Sequence, residues 1–212
     1  MKIPRTMEET REVPLLLHEL GIRGLLHNQE PIDLITAARL AGRGPRVEIG
    51  CFVGLSTCLI AAGTDPEDRI LSLDLFTMVG LQGFVNPAVA IIGPELMERP
   101  DWLWLWRRNV KAAWPDHRIH FVQGDHLDPQ VIAFVRCAVD HSAALLYLDG
   151  PHDAPSVNAE LEAYLPLCRP GAFVVFHDWA PEFGVYEVVN RWVDDGRLIE
   201  YWPGYLYVAR KP

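Results

Sequence analysis

Two short stretches of this chain carry side chains that together could move a proton or hold a cation: Leu148-Asp149-Gly150-Pro151-His152 and Phe176-His177-Asp178-Trp179. An imidazole, with a pKa of about 6.5, accepts a proton near neutral pH. Imidazoles and carboxylates are also ligands for divalent ions. A third stretch, VEIGCFVGLST (Val47–Thr57), sets Glu48, Gly50, Gly54 and Ser56 between an apolar run and a helix-forming run. Glycines there let the backbone turn tightly and approach a ligand, and the helix start offers N–H donors. The spacing is E-x-G-x-x-x-G, not the G-x-G-x-x-G of dinucleotide folds. Nor does the Lys-Ser/Thr ending of a triphosphate loop follow.

Short aliphatic runs alternating with amphipathic segments supply the scaffold. Strands are expected at Arg46–Ile49, Arg69–Asp74, Arg118–Gln123, Ala143–Asp149 and Ala172–Asp178. Helices are expected at Leu55–Gly63, at Asp128–Val139 with Asp128 as cap, at Ser156–Leu167 and at Val185–Asp195. RLIEYW and YLYVARK, joined at Pro203-Gly204, read as a closing antiparallel hairpin. The sum is an α/β fold: a doubly wound, seven-stranded, mostly parallel sheet with its last strand antiparallel. Residues 1–45 read as an N-terminal helical extension to a domain over 46–212, the whole forming a single domain. Residues 77–100, with Gly, Pro and few charges, read as a long connection of the lid or binding-loop kind.

On this scaffold the chemistry-bearing residues share one rim. Glu48 and Gly50 close the first strand, Asp74 the second, Gly124-Asp125 the third, Asp149 the fourth and His177-Asp178 the fifth. An acid after the second strand stands where ribose hydroxyls are bound in nucleotide-binding sheets. A glycine backbone beside Asp125 could frame an adenine. Each residue also has a plainer reading. A strand-end acid often caps the next helix, His152 could satisfy backbone groups at a helix start, and His177 could be a buried structural imidazole. The register of all five strand ends argues for a site.

Composition narrows the class. The formal charge of −9 over 212 residues disfavours nucleic-acid backbones and anionic membranes, and suits a small neutral or cationic partner. Cys51, Cys58, Cys137 and Cys168 form no CxxC pair and read as small hydrophobes in a reducing cytoplasm. No apolar run reaches the roughly 20 residues of a membrane span, and the first residues have no signal-peptide core. The cytoplasm is the expected location.

VEIGCFVGLST, FVQGD and LLYLDGPHDAPSVNAELEAYLPLCRPGAFVVFHDW together resemble class I S-adenosylmethionine-dependent methyltransferases. The likeness is greatest to the branch of macrolide-sugar O-methyltransferases and cephalosporin-pathway enzymes, and more distant to catechol O-methyltransferases. It spans roughly Arg46 to Asp178. The resemblance implies S-adenosylmethionine as cofactor: Gly50, Gly54 and Ser56 at its methionine end, with Glu48 organising the turn, Asp74 on the ribose, and Gly124, Asp125 and His126 at the adenine. Asp149 would border the cofactor and, with His177 and Asp178, hold a divalent ion such as Mg2+ or Mn2+. His152 would be the base, with Asp149 and His177 assisting. His177 departs from the family pattern, which has an acid there. Magnesium prefers oxygen, so a histidine points to a softer ion or to none.

The expected reaction is O-methylation of a small hydroxylated acceptor. Methyl transfer to nitrogen, a catalytically silent partner protein, and a nicotinamide dehydrogenase are the alternatives. Trp102, Trp106, Asn109 and Ala113 form one helical stripe and read as core, leaving Trp104 for a pocket or interface. Trp179 adjoins the presumed site. The apolar stretch VPLLLHELGIRGLL could pack on its own domain or in a homo-oligomer.

Overall fold

A computed structural model describes residues 1–75 and 101–212; the connection expected at 77–100 lies outside the described residues. The elements are α1 (Met7–Glu19), α2 (Glu30–Leu40), β1 (Arg46–Ile49), α3 (Leu55–Ala62), β2 (Ile70–Asp74) and α4 (Trp102–Ala113). Then come β3 (Ile119–Gln123), α5 (Pro129–Val139), β4 (Ala143–Leu148), α6 (Ala154–Tyr164), β5 (Cys168–Phe176), α7 (Gly184–Asp194), β6 (Ile199–Pro203) and β7 (Tyr207–Arg210). A 3-10 turn, Leu165–Leu167, completes the segment expected to be the end of α6, because Pro166 cannot continue the helical hydrogen-bond ladder.

The strands form one sheet in the order β3-β2-β1-β4-β5-β7-β6. β1 pairs in parallel with both β2 and β4, so the strand order reverses between β1 and β4. β7 runs antiparallel to both its neighbours, β5 and β6. The hairpin differs in detail from expectation: β6 continues through Pro203, and residues 204–206 make the turn. Pro203 is tolerated because β6 is an edge strand.

β1 and β4 are buried along their whole length, as a sheet covered on both faces requires. On one face Val13 and Leu17 of α1 and Leu34 and Ile35 of α2 join Cys58 and Leu59 of α3 in a single core. On the other, Val157 and Leu161 of α6 and Val188 and Trp192 of α7 cover Val47, Leu146 and Val174. Asp128 and Asp153 cap α5 and α6, accepting from the N–H groups of Gln130 and Ser156. Cys51, Cys58 and Cys168 are buried as expected, whereas Cys137 lies on the solvent face of α5. No helix among the described residues is long and apolar enough to cross a membrane.

Candidate functional site

The rim expected from the strand ends exists, and its first half is the turn between β1 and α3. Gly50 has φ +81°, and a Cβ there would lie 1.9 Å from the carbonyl oxygen of Asp149. The glycine is thus required by the contact between β1 and β4 as well as by its left-handed backbone. Gly54, at φ +91°, begins α3, and a Cβ on it would meet the Trp106 indole at 2.9 Å.

Glu48 lies beneath this turn with none of its surface exposed. Its Oε2 accepts from Thr57 Oγ1 at 2.6 Å and from Ser72 Oγ at 2.5 Å. Oε1 has no partner among the described residues. Burial pushes the Glu48 carboxyl up to about 7, against the neighbouring Ser56, Ser72 and Thr57 hydroxyls. Asp74 Oδ2 accepts from the backbone N–H groups of Cys51 at 3.1 Å and Phe52 at 2.8 Å, tying the end of β2 to the turn. Helix α4 braces the same turn: Trp106 Nε1 donates to Thr57 Oγ1 at 3.0 Å, and Asn109 Nδ2 donates to the Val53 carbonyl at 2.8 Å. The Trp102/Trp106 stripe is therefore core, as its spacing suggested, with an added task of fixing the turn.

Gly124 follows β3 at φ +154°, and a Cβ there would lie 2.9 Å from Val131 Cγ2. Asp125 is exposed and accepts from the Leu127 N–H at 2.9 Å. His126 Nε2 lies 2.9 Å from Glu160 Oε1 on α6. That acid was not singled out from the sequence, yet a signal existed. Val157, Glu160, Leu161 and Tyr164 form a buried helical stripe in which Glu160 is the lone charge. Tyr164 donates to the His126 carbonyl at 2.5 Å.

The second half of the rim gathers Asp149, His152, His177 and Asp178. One ligand atom from each lies within 4.8 Å of all the others. His177 Nδ1 is 2.9 Å from Asp149 Oδ1 and 3.3 Å from Asp178 Oδ2. His152 Nδ1 is 3.3 Å from the same Asp178 oxygen, and its Nε2 is 3.8 Å from Asp149 Oδ1. Successive strand residues point to opposite faces, so His177 and Asp178 would diverge on a continuing strand. Asp178 instead takes a left-handed φ of +50°, which folds its carboxylate back beside His177. Across the loop after β4, the N–H of Gly184 donates to the His152 carbonyl at 2.8 Å, and the Phe183 ring lies edge-on to the imidazole.

Electrostatics in this half run opposite to those at Glu48. Burial raises the Asp149 carboxyl, but the His177 charge and hydrogen bonds from His152, His177 and Tyr147 outweigh it and hold it below the ordinary range. Tyr147, a polar-tipped residue in an otherwise apolar strand, donates to Asp149 Oδ2 at 3.0 Å. A contact with Asp149 raises the His152 pKa despite burial. Burial lowers the His177 pKa, yet Asp149, Asp178 and Glu30 raise it to about 12. Glu30, from the first turn of α2, places Oε1 3.6 Å from His177 Nε2. Nothing in its sequence context marked it.

The donor set fits a divalent ion. The two carboxylates and the His177 imidazole converge, with His152 beside them, and both donor types bind such ions. His177 Nδ1 is buried without an aligned hydrogen-bond partner among the described residues. The other half fits S-adenosylmethionine: the turn with left-handed Gly50 and Gly54 lies beside Asp74, and Glu48 Oε1 beneath it is buried with no partner among the described residues. Trp104, 54% exposed, has the Arg108 guanidinium over its ring. Trp179 packs on Tyr186 and Tyr207.

A parallel sheet with its last strand reversed, carrying its polar side chains where the strand order turns, is the fold of class I methyltransferases. The family model of a methyltransferase domain matches residues 47–179, and the chain belongs to that family. No curated protein matches the chain. Among solved structures, an O-methyltransferase from Bacillus cereus in complex with SAH is 16% identical, with a TM-score of 0.62 over 99% of this chain and 93% of that one. A TDP-rhamnose 3'-O-methyltransferase of calicheamicin biosynthesis is 19% identical, with a TM-score of 0.57 over 98% and 96%. A methyltransferase of the mycinamycin pathway, in complex with Mg and SAH, is 17% identical, with a TM-score of 0.58 over 92% of this chain and 53% of that one.

Proposed function

We propose that this methyltransferase uses S-adenosylmethionine to methylate a hydroxyl of a small molecule, with Asp149, His152, His177 and Asp178 activating that hydroxyl. The carrying observation is the convergence of these four side chains beside the Gly50 turn, where β4 meets β1. Bound cofactor supplies an already activated sulfonium methyl group, and a divalent ion supplies positive charge for the developing oxyanion.

The chain's own residues then have two tasks. The first is to bind and align: the turn held by Glu48, Asp74 and Trp106 fixes the donor side, and the β4–β5 loops fix the acceptor. Alignment of two reactants is itself worth several kcal/mol of barrier, on the order of 7 or more in the best cases. The second is to remove a proton. A phenol ionises only at a pKa of about 10, and an aliphatic alcohol is weaker still. His152 Nε2 would accept the hydroxyl proton as the acceptor oxygen takes the methyl group from the bound donor. Asp178, 3.3 Å from His152 Nδ1, stabilises the imidazolium that results.

The small-molecule acceptor is a phenol or a sugar hydroxyl in this reading. Sugar methylation by one neighbour in fold and the formal charge of −9, which disfavours nucleic acid, support it. A methyl-labelled donor, offered with panels of phenols, nucleotide sugars and amines, tests the proposal. Label on oxygen, reduced by chelation, is the expected result. Label on nitrogen, or on nothing while cofactor binds, would overturn it.

A further inference from the structure

The family match begins at residue 47, yet a side chain from well before it reaches the second half of the rim. Glu30 opens α2, and its Oε2 is fixed by accepting from the His27 N–H at 2.6 Å. Its Oε1 faces His177 Nε2 across 3.6 Å. A neutral imidazole carries its proton on one nitrogen and a lone pair on the other. With a cation on Nδ1 the ring is neutral, and Glu30, whose carboxylate can only accept, favours the remaining proton on Nε2. The lone pair then falls on Nδ1.

Nδ1 is the buried atom that faces Asp149 Oδ1 at 2.9 Å and Asp178 Oδ2 at 3.3 Å. A lone pair beside two carboxylate oxygens is repulsive unless positive charge stands among them. Without an ion a proton on Nδ1 supplies that charge, in keeping with the raised His177 pKa, and it would bond fully only with an oxygen lying in line. Nδ1 has no such aligned partner among the described residues. An ion, held by all three atoms at once, needs no such alignment. A carboxylate on the outer nitrogen is also the general means by which ligating histidines are oriented and made more basic.

We infer that Glu30 is a positioning residue that presents His177 Nδ1 as a ligand, making this a mixed nitrogen–oxygen site that prefers a first-row transition ion to magnesium. The inference rests on the reading of Asp149, His177 and Asp178 as a metal site. Imidazole suits ions such as Co2+ and Zn2+, whereas Mg2+ binds hard oxygen and keeps much of its water.

The test is a titration of the untagged protein with Co2+, read by visible absorption and calorimetry, with Mg2+ in competition. Wild type should bind Co2+ at least tenfold more tightly than Mg2+. Glu30→Ala should weaken Co2+ binding about 10- to 100-fold while leaving the affinity for S-adenosylhomocysteine unchanged. Glu30→Gln, nearly isosteric, should fall between, since its amide oxygen still accepts but carries no charge. It also serves as the test variant should Glu30→Ala lose its fold. If wild type binds neither ion, the metal reading of the cluster fails, and this inference with it. If wild type binds Co2+ and both variants bind it equally, only the role of Glu30 is overturned. Equal affinities for Co2+ and Mg2+ in wild type would overturn nitrogen ligation by His177.

Discussion

On the β1–β2 side of the rim the polar side chains are tied into the scaffold, whereas on the β4–β5 side they face one another. Glu48 is held by Thr57 and Ser72, and Asp74 by two backbone N–H groups. Asp149, His152, His177 and Asp178 instead converge within 4.8 Å, with a buried imidazole nitrogen left unaligned. The first side is a frame already closed around its own turn. The second is a concentration of charge and lone pairs that, in the proposed function, an ion or acceptor would complete. A frame that must present one unchanging cofactor gains from being rigid. A site that meets a proton, an ion and a varying acceptor gains from groups that can exchange partners.

The two sides touch at Gly50, so its substitution should have the largest effect. Gly50→Ala adds a Cβ 1.9 Å from the Asp149 carbonyl, at a φ of +81°. A loss on the order of 3–5 kcal/mol in urea unfolding is expected, with damage to both halves. Gly196→Ala is the control, since its φ is +69° but nothing lies within 4 Å. It should cost about 1–2 kcal/mol from backbone strain alone. Similar losses in the two variants would show that the halves are not packed together at Gly50.

A pair of substitutions separates the halves functionally. His152→Ala should lower turnover at least tenfold, and by up to about 10⁴-fold if it is the only base, with cofactor affinity unchanged. Asp74→Asn should do the reverse, weakening S-adenosylhomocysteine binding and sparing metal affinity. Unchanged turnover in His152→Ala would remove that residue from the mechanism.

A further effect concerns pH. The folded Glu48 pKa of about 7 lies above the unfolded value of about 4.3. Its protonation therefore stabilises the fold below about pH 4.3, and that contribution is lost as pH rises through 7. Glu48→Gln should remove the trend, so the stability of wild type relative to the variant should fall between pH 4.5 and 7.5. His152, also raised, loses stability in the same direction but equally in both proteins, and cancels. A pH-independent difference would mean that Glu48 is ionised in the fold.

The sequence was most legible where the sheet imposes itself. The apolar runs at β4 and β5 and the cap Asp128 follow from local chemistry, and parallel pairing then puts five strand ends on one rim. Asp149 and His152 are three apart on one loop and could be paired by eye. Less visible was what depends on the third dimension. Glu30 reaches His177 from another helix, and no spacing relates residues so far apart. The left-handed turn at Asp178, which brings two successive side chains together, has no glycine or asparagine to announce it. Glu160 was readable from helical phase, but its partner His126 was not.

The most direct test of the account is a calorimetric titration of the purified protein with S-adenosylhomocysteine, beside Asp74→Asn. Saturable one-to-one binding by wild type, weakened at least tenfold in the variant, is the expected result. No binding by wild type, with or without a divalent ion, would contradict the assignment of the β1–β2 half to the cofactor and leave this a methyltransferase fold without its chemistry.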